Sequence, residues 1–333
     1  MTSFLTVEKI VVLGTGGTIA GLSENRSDNV GYKAAQVGVE QLLSGVTGLA
    51  VLLAGRQLVT EQVAQIDSKD MSFDVWRQLA LRVNFYLNEA DVKGIVITHG
   101  TDTLEETAYF LHAVLPAGLL AHKPVVLTCA MRPASSTAPD GPQNLLDAVT
   151  VAMTPDAQGV VVLCAGTLHG AVEVHKVHPY RLDAFSSGDT GPIGYVEEGA
   201  LRLVRNWPLG PVDSAQAAIN NAANKLNWPR VEIVMNYAGA TGATVDALTS
   251  ASINESLDAL PVRGLVVATT GNGTMHHDLE AALHRAQNSG VKVVLASRCC
   301  LGRVLPKTDS TFPDSQGLSP VKARVALMLS LLA

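Results

Sequence analysis

Residues 9–21 read KIVVLGTGGTIAG, an apolar, β-branched run that breaks into glycines interleaved with Thr15 and Thr18. Such a run suits a strand buried on both faces of a parallel sheet. A glycine loop after a strand is either a tight turn or a phosphate cradle. A dinucleotide fingerprint needs glycine at its sixth position, where Ile19 stands, and a P-loop needs Gly-Lys before Ser or Thr. Neither is present. Both cradles also need a helix to begin at the loop, yet residues 21–32, GLSENRSDNVGY, are rich in helix breakers. What remains is a glycine turn that holds two hydroxyls where the backbone can approach a ligand closely.

Working outward, VKGIVIT (92–98), KPVVLTCA (123–130) and GVVVLCAG (159–166) repeat the buried-strand pattern. Between them Phe73, Trp76, Ala80, Val83 and Leu87 recur at spacings of three and four, which predicts an amphipathic helix from Ser72 to Leu87. Leu104 to Leu115 and Asn144 to Met153 are the next two helices. Strands alternating with helices are the signature of parallel βα units. After Cys164 the pattern shortens to VEVHKV (172–177) and IGYVEEGALRLV (193–204), the latter a hairpin around Glu197 to Ala200, so the sheet ends in antiparallel additions. Residues 206–227 open with prolines and a glycine and become polar and Ala/Asn-rich, which marks a linker. Beyond it RVEIVMNY, RGLVVATTG and VKVVLASR form a second set of parallel strands, with a helix over His277 to Asn288 and a last helix capped by Ser319 with Pro320 in its first turn. The expected fold is α/β in two domains. A larger N-terminal domain (1–205) has a mainly parallel sheet flanked by helices, and a smaller parallel α/β domain spans 228–333.

The chain has 333 residues, more than the roughly 250 to 300 at which single cores usually split. With 47% apolar and 16% charged residues it has the composition of a folded protein. A net charge of -6 without basic runs argues against nucleic-acid and anionic-membrane partners and favours a small molecule. No stretch approaches the ~18 consecutive apolar residues of a membrane span, and the N-terminus lacks the basic region of a secretion signal. Cys129, Cys164, Cys299 and Cys300 show neither zinc nor disulfide spacing, so a reducing cytoplasm is expected. His175, His178, His276 and His277 have no carboxylate or cysteine completing a ligand set at the right spacing, so no metal is expected.

Ligands of open parallel sheets gather at the carboxyl ends of the strands. The loop after the second buried strand is THGTDTLEET (98–107). Thr103 and Glu106 read as a capping box, which leaves Thr101 and Asp102 to be explained. A hydroxyl and a carboxylate side by side ahead of a helix form a hydrogen-bonding site, with Asp102 able to hold an ammonium group or a lysine.

Together GTGGTIAG (14–21) and THGTDTLEETAYFLH (98–112) resemble the paired signatures of the bacterial-type L-asparaginase and glutaminase-asparaginase family. The similarity runs on through DSKDM (67–71), AMRPASSTAPDGPQNLLDAV (130–149) and GPIGY (191–195) into the second domain. The resemblance implies hydrolysis of L-asparagine to aspartate and ammonia, without a cofactor, through an acyl-enzyme on Thr18. Tyr32, Thr101, Asp102 and Lys176 match the family's activating network. Ser68 matches the residue that holds the substrate α-carboxylate, Asp102 the one that holds its ammonium, and the backbone carbonyl of Ala130 the group facing the leaving amide. Asn236 matches a residue supplied by a neighbouring subunit, and Asp309 stands, as a departure, where the family has a glutamate supplied by that subunit; a site shared in this way implies an obligate dimer at least, and the resemblance implies a homotetramer built as a dimer of dimers.

One departure lies in the substrate-binding set. Lys69 stands where relatives usually carry Gln or Glu, and a cation there repels the substrate ammonium unless it turns to a carboxylate. That departure keeps a broad glutaminase-asparaginase as the rival within the enzyme class. A catalytically inactive amino-acid sensor is the rival outside it, and a nucleotide-binding regulator, resting on the glycine turn alone, is a third.

Overall fold

The computed structural model describes residues 7–208, 228–250, 260–305 and 310–332. The chain divides into two compact units, Met1–Ile219 and Asn220–Ala333. Residues 209–227, most of the expected linker, lie outside the described residues, as does Asp309.

The first unit is built on an eight-stranded sheet. Its parallel centre comprises β1 (Lys9–Gly16), β2 (Gln57–Ile66), β3 (Val92–Thr98), β4 (Val125–Thr128) and β5 (Val160–Cys164). β6 (Thr167–Gly170), β9 (Gly194–Glu197) and β10 (Ala200–Leu203) extend it antiparallel, giving the order β10-β9-β6-β5-β4-β3-β1-β2. Except near their starts, β1, β3, β4 and β5 are buried at every residue. That is why they read as continuous apolar runs: both faces are covered by helices. On one face α1 (Val39–Ser44), α2 (Leu49–Leu53) and α6 (Gly141–Met153) close a core with Ile10, Val12, Val96, Val126 and Val161. On the other lie α3 (Phe73–Asn88) and α4 (Leu104–Val114), followed by the short α5 (Ala117–Leu120). There Trp76 stacks on Phe110 at 4.9 Å and donates its indole N–H to Thr107 Oγ1 at 2.8 Å. A small separate ribbon pairs β7 (His175–Lys176) with β8 (Phe185–Ser186).

The strand order places the site. β1 pairs with β2 on one side and with β3 on the other, so the chain leaves β1 in one direction and later crosses back over it. Gly14 lies level with Thr98 and Gly16 level with Ile66. The loops leaving β1, β2 and β3 therefore converge at a topological switch point, where open α/β sheets bind ligands.

The second unit has a three-stranded parallel sheet, β11 (Arg230–Met235), β12 (Val262–Thr269) and β13 (Lys292–Ser297), in sequential order. α7 (Ala243–Thr249) and α8 (His277–Asn288) bury Val245, Leu279, Ala282 and Leu283 against Val234, Leu265 and Val267. α9 (Pro320–Leu332) packs against all three strands, and its Arg324 donates to the Val231 carbonyl at 2.9 Å. A β-carbon on Gly264 would lie 2.8 Å from Leu327 Cδ2, so the helix seats directly on that strand.

Several local expectations change. β2 escapes the sequence pattern because QLVTEQVAQI is an edge strand, half-buried or exposed along its length. α6 begins at Gly141, earlier than Asn144, with proline in its first turn, where a missing N–H costs nothing. The Thr103 side of the expected capping box does not form: Thr103 occupies the N-cap position, but its hydroxyl donates to the Ser68 carbonyl at 2.8 Å. Ser319 accepts the Ala323 amide on its carbonyl, while its buried hydroxyl has no hydrogen-bond partner among the described residues, so the side-chain cap expected there does not form. Among the described residues no helix is long and apolar enough to cross a membrane.

Candidate active site

The first wall of the site is the turn leaving β1. Gly17 has φ +83° and donates its amide to the Ile66 carbonyl at 2.8 Å. A β-carbon there would lie 2.3 Å from Gly100 Cα, so the β1 and β3 loops touch backbone to backbone and glycine is required on steric grounds. Thr18 opens a 3-10 turn, Thr18–Ala20, and no α-helix follows, as the breakers in 21–32 demand. The chain then loops out and returns through an antiparallel bridge between Leu22 and Lys33. This brings Tyr32 back onto the turn, with 2.7 Å between its hydroxyl and Thr18 Oγ1. The returning loop is tied to the 130–140 loop by bonds from Ala134 N to Gly21 O, Ser23 N to Ser135 Oγ and Thr137 N to Arg26 O. Burial holds the Tyr32 phenol above the ordinary tyrosine range, the bond to Thr18 opposes the shift, and the charges of Asp67 and Asp102 add to it. The phenol is therefore neutral at physiological pH.

The second wall is the loop leaving β3. Lys176, carried on the small ribbon, donates from Nζ to Thr101 Oγ1 at 2.8 Å and to Asp102 Oδ1 at 2.6 Å. Thr101 is buried, Asp102 half exposed, and the Lys176 side chain largely covered. Its backbone amide points to Glu105 Oε1 at 3.5 Å. Beneath the loop, fully buried His99 donates from Nδ1 to the Gly100 carbonyl at 2.7 Å. Desolvation pulls its pKa down to about 4, so the ring is neutral.

The third wall follows β2. Asp67 caps a 3-10 turn over Ser68–Asp70. Ser68 is 2% exposed, and its Oγ accepts the Asp102 amide at 3.2 Å. Lys69 has turned outward: its Nζ is paired with Asp70 and lies 3.8 Å from Asp67 Oδ2. The Asp70 carboxylate, with Asp67 and Asp102 behind it, holds the ammonium above the usual lysine range. The cation thus has carboxylates of its own and does not act as an unpaired charge facing a ligand.

Ala130 is buried in the turn after β4. Asp140 shapes that turn by accepting the amides of Met131 at 2.9 Å and Arg132 at 3.0 Å, and Asn144 donates to the Cys129 carbonyl at 2.9 Å. In the second unit Asn236 has both ends of its amide engaged, donating to Thr270 Oγ1 at 3.1 Å and accepting the His276 amide at 2.9 Å. His276, His277 and Asp278 bring one ligand atom each within 4.8 Å of one another, but His276 Nδ1 accepts the Asp278 amide as the cap of α8.

The first unit therefore gathers Thr18 with Tyr32, and Thr101 with Asp102, Lys176 and Ser68. The sequence reading passed over Thr103, Asp67 and His99. Thr103 was hidden by its resemblance to a helix cap, and the other two are ordinary turn and strand-end residues in one dimension.

A hydroxyl paired with a phenol and a second hydroxyl paired with a carboxylate and with the lysine of the small ribbon stand together at a sheet switch point, an arrangement of candidate nucleophiles and proton-transfer partners. Residues 9–209 match the family model described as Asparaginase, N-terminal, and residues 230–333 match the Glutaminase/Asparaginase C-terminal domain. The L-asparaginase 2 of Escherichia coli (strain K12) is 35% identical over 335 residues, covering 98% of this chain and 90% of the relative. The glutaminase-asparaginase of Pseudomonas fluorescens biotype A is 34% identical, covering 97% and 86%. The crystal structure of the probable cytoplasmic L-asparaginase from Campylobacter jejuni has a TM-score of 0.85 at 34% identity, covering 97% of this chain and 95% of that one. The chain is an amidohydrolase. It belongs to the asparaginase family, with both of the family's domains present.

Proposed function

We propose that this enzyme hydrolyses L-asparagine to L-aspartate and ammonia through an acyl-enzyme on Thr18. The observation that carries the reading is the pair of activated hydroxyls, Thr18 against Tyr32 and Thr101 against Lys176. Thr18 Oγ attacks the side-chain amide carbon, and its proton passes into the hydrogen-bonded network headed by Tyr32. Because Tyr32 is held neutral, it serves as a relay that gives a proton as it receives one, not as a phenolate base. The oxyanion is stabilised by backbone amides around the glycine turn. The C–N bond breaks, a proton from the network joins the departing amine, and ammonia leaves. Water, oriented by Thr101 and Lys176, then cleaves the ester and returns the Thr18 proton.

Substrate recognition follows from the same walls. Ser68 meets the α-carboxylate, Asp102 the ammonium, and the Ala130 carbonyl the leaving amide, with Lys69 withdrawn to Asp70 and Asp67. By family resemblance Asn236 and Asp309 serve a neighbouring subunit in a homotetramer; by composition the boundary between domains lies in 206–227, and by cysteine usage the enzyme works in the cytoplasm. The Campylobacter relative is described as cytoplasmic, whereas a 36% identical Haemophilus influenzae relative is described as periplasmic.

Trapping the intermediate tests the mechanism. Acid-quenched mixtures should contain the Thr18 peptide esterified by one aspartyl group, and Thr18→Ala should lose roughly 10³-fold or more in turnover. Normal turnover in Thr18→Ala removes the nucleophile assignment. Equal efficiency on L-asparagine and L-glutamine favours the broader glutaminase-asparaginase, and tight binding without ammonia release favours the inactive sensor.

A further inference from the structure

We propose that Thr103 is a positioning residue that fixes Ser68 and thereby shapes the end of the pocket that receives the substrate α-carboxylate; this rests on the role assigned to Ser68 above. Three observations carry it. First, the hydroxyl that the sequence pattern assigns to capping α4 makes no bond to the helix amides and donates instead to the Ser68 carbonyl at 2.8 Å, across 35 residues of chain. That carbonyl also accepts the Met71 amide at 3.1 Å, so both of its acceptor positions are used. Second, Ser68 Oγ accepts the amide of Asp102, the residue before Thr103, at 3.2 Å. Ser68 is therefore gripped from both its backbone and its side chain by consecutive residues of the β3 loop. With a backbone N–H on its oxygen, the Ser68 hydroxyl keeps its own proton for an anionic acceptor. Third, the β3 loop presses on Ser68 at a further point: a β-carbon on Gly100 would lie 2.5 Å from Ser68 Oγ, so no room is left between the two residues.

The test compares Thr103→Val, which keeps the shape and removes the donor, with Thr103→Ser, which keeps the donor. In substrate-free protein, exchange of the Asp102 amide should accelerate about five- to tenfold in Thr103→Val, the weight of one such hydrogen bond, and stay near wild type in Thr103→Ser. In turnover, KM for L-asparagine and the Kd of L-aspartate should rise by a similar factor in Thr103→Val, with kcat within about twofold, and Thr103→Ser should restore both. If Thr103→Val does not fold, Thr103→Ala carries the same measurements. Unchanged Asp102 exchange with unchanged KM overturns the proposal, as does a lowered Tm with wild-type KM, the mark of a mere helix cap. A wild type that releases no ammonia overturns the proposed function instead, while the exchange measurement still decides the role of Thr103.

Discussion

Replacing Lys176 by methionine separates catalysis from stability, because the two effects differ in size. Lys176 makes two contacts that matter, at 2.8 Å to Thr101 Oγ1 and 2.6 Å to Asp102 Oδ1. Its side chain is 17% exposed, but that of Asp102 is 52% exposed, so the ion pair is screened by water and worth about 1 kcal/mol or less to the fold. Methionine keeps most of the aliphatic stem that packs against the loop. The catalytic loss is larger. Removing a positioned group that handles protons typically costs about 10² to 10⁴ in rate, or roughly 3 to 5 kcal/mol in the barrier. The expected outcome is a kcat for L-asparagine lower by that factor, read as ammonia release at saturating substrate, with a urea unfolding free energy within about 1 kcal/mol of wild type. Lys176→Arg should not rescue, since a planar fork cannot occupy a point-charge position against both partners. A folded Lys176→Met enzyme with kcat within about tenfold of wild type would refute the reasoning, because the cluster would then be a structural ion pair.

Two further outcomes follow from the walls of the site. Burial lowers the His99 pKa from 6.5 to about 4, so the unfolded chain takes up this proton first as pH falls. Its contribution to stability is complete above pH 6.5 and is lost as pH drops toward 4, by about 3 kcal/mol at most. Urea midpoints should thus fall more steeply between pH 7 and pH 4.5 in the wild type than in His99→Gln, and parallel slopes would show that this ring does not control acid sensitivity. Gly100→Ala places a β-carbon 2.5 Å from Ser68 Oγ and 2.7 Å from Ser68 Cβ. Overpacking there should cost about 1 to 3 kcal/mol in chemical denaturation and raise KM more than it lowers kcat. An unchanged KM would mean that Ser68 can move without harm to binding.

Much of this protein was legible in one dimension because burial leaves a local record. Strands covered on both faces must be apolar at nearly every residue, so β1, β3, β4 and β5 announce themselves, and α3 shows its buried face as Trp76, Ala80, Val83 and Leu87. Where burial is partial the record fades, and β2 at the sheet edge was missed for that reason. The glycine turn and the Thr101-Asp102 pair were also legible, since their residue types are hard to explain as packing.

The amino-acid order by itself marked the strands buried on both faces, the amphipathic helix α3, the loops that carry Thr18 and Thr101, and the absence of a phosphate-binding helix after the first strand. It did not determine who meets whom. Thr101 finds Lys176 across 75 residues and Ser68 finds Thr103 across 35. Lys69 meets its carboxylates, Asp70 and Asp67, only through the direction its side chain takes. Periodicity records whether a side chain is buried, a property of its own neighbourhood. A hydrogen-bond partner is chosen by strand order, and only the folded sheet, with β1 between β2 and β3, brings these three loops together.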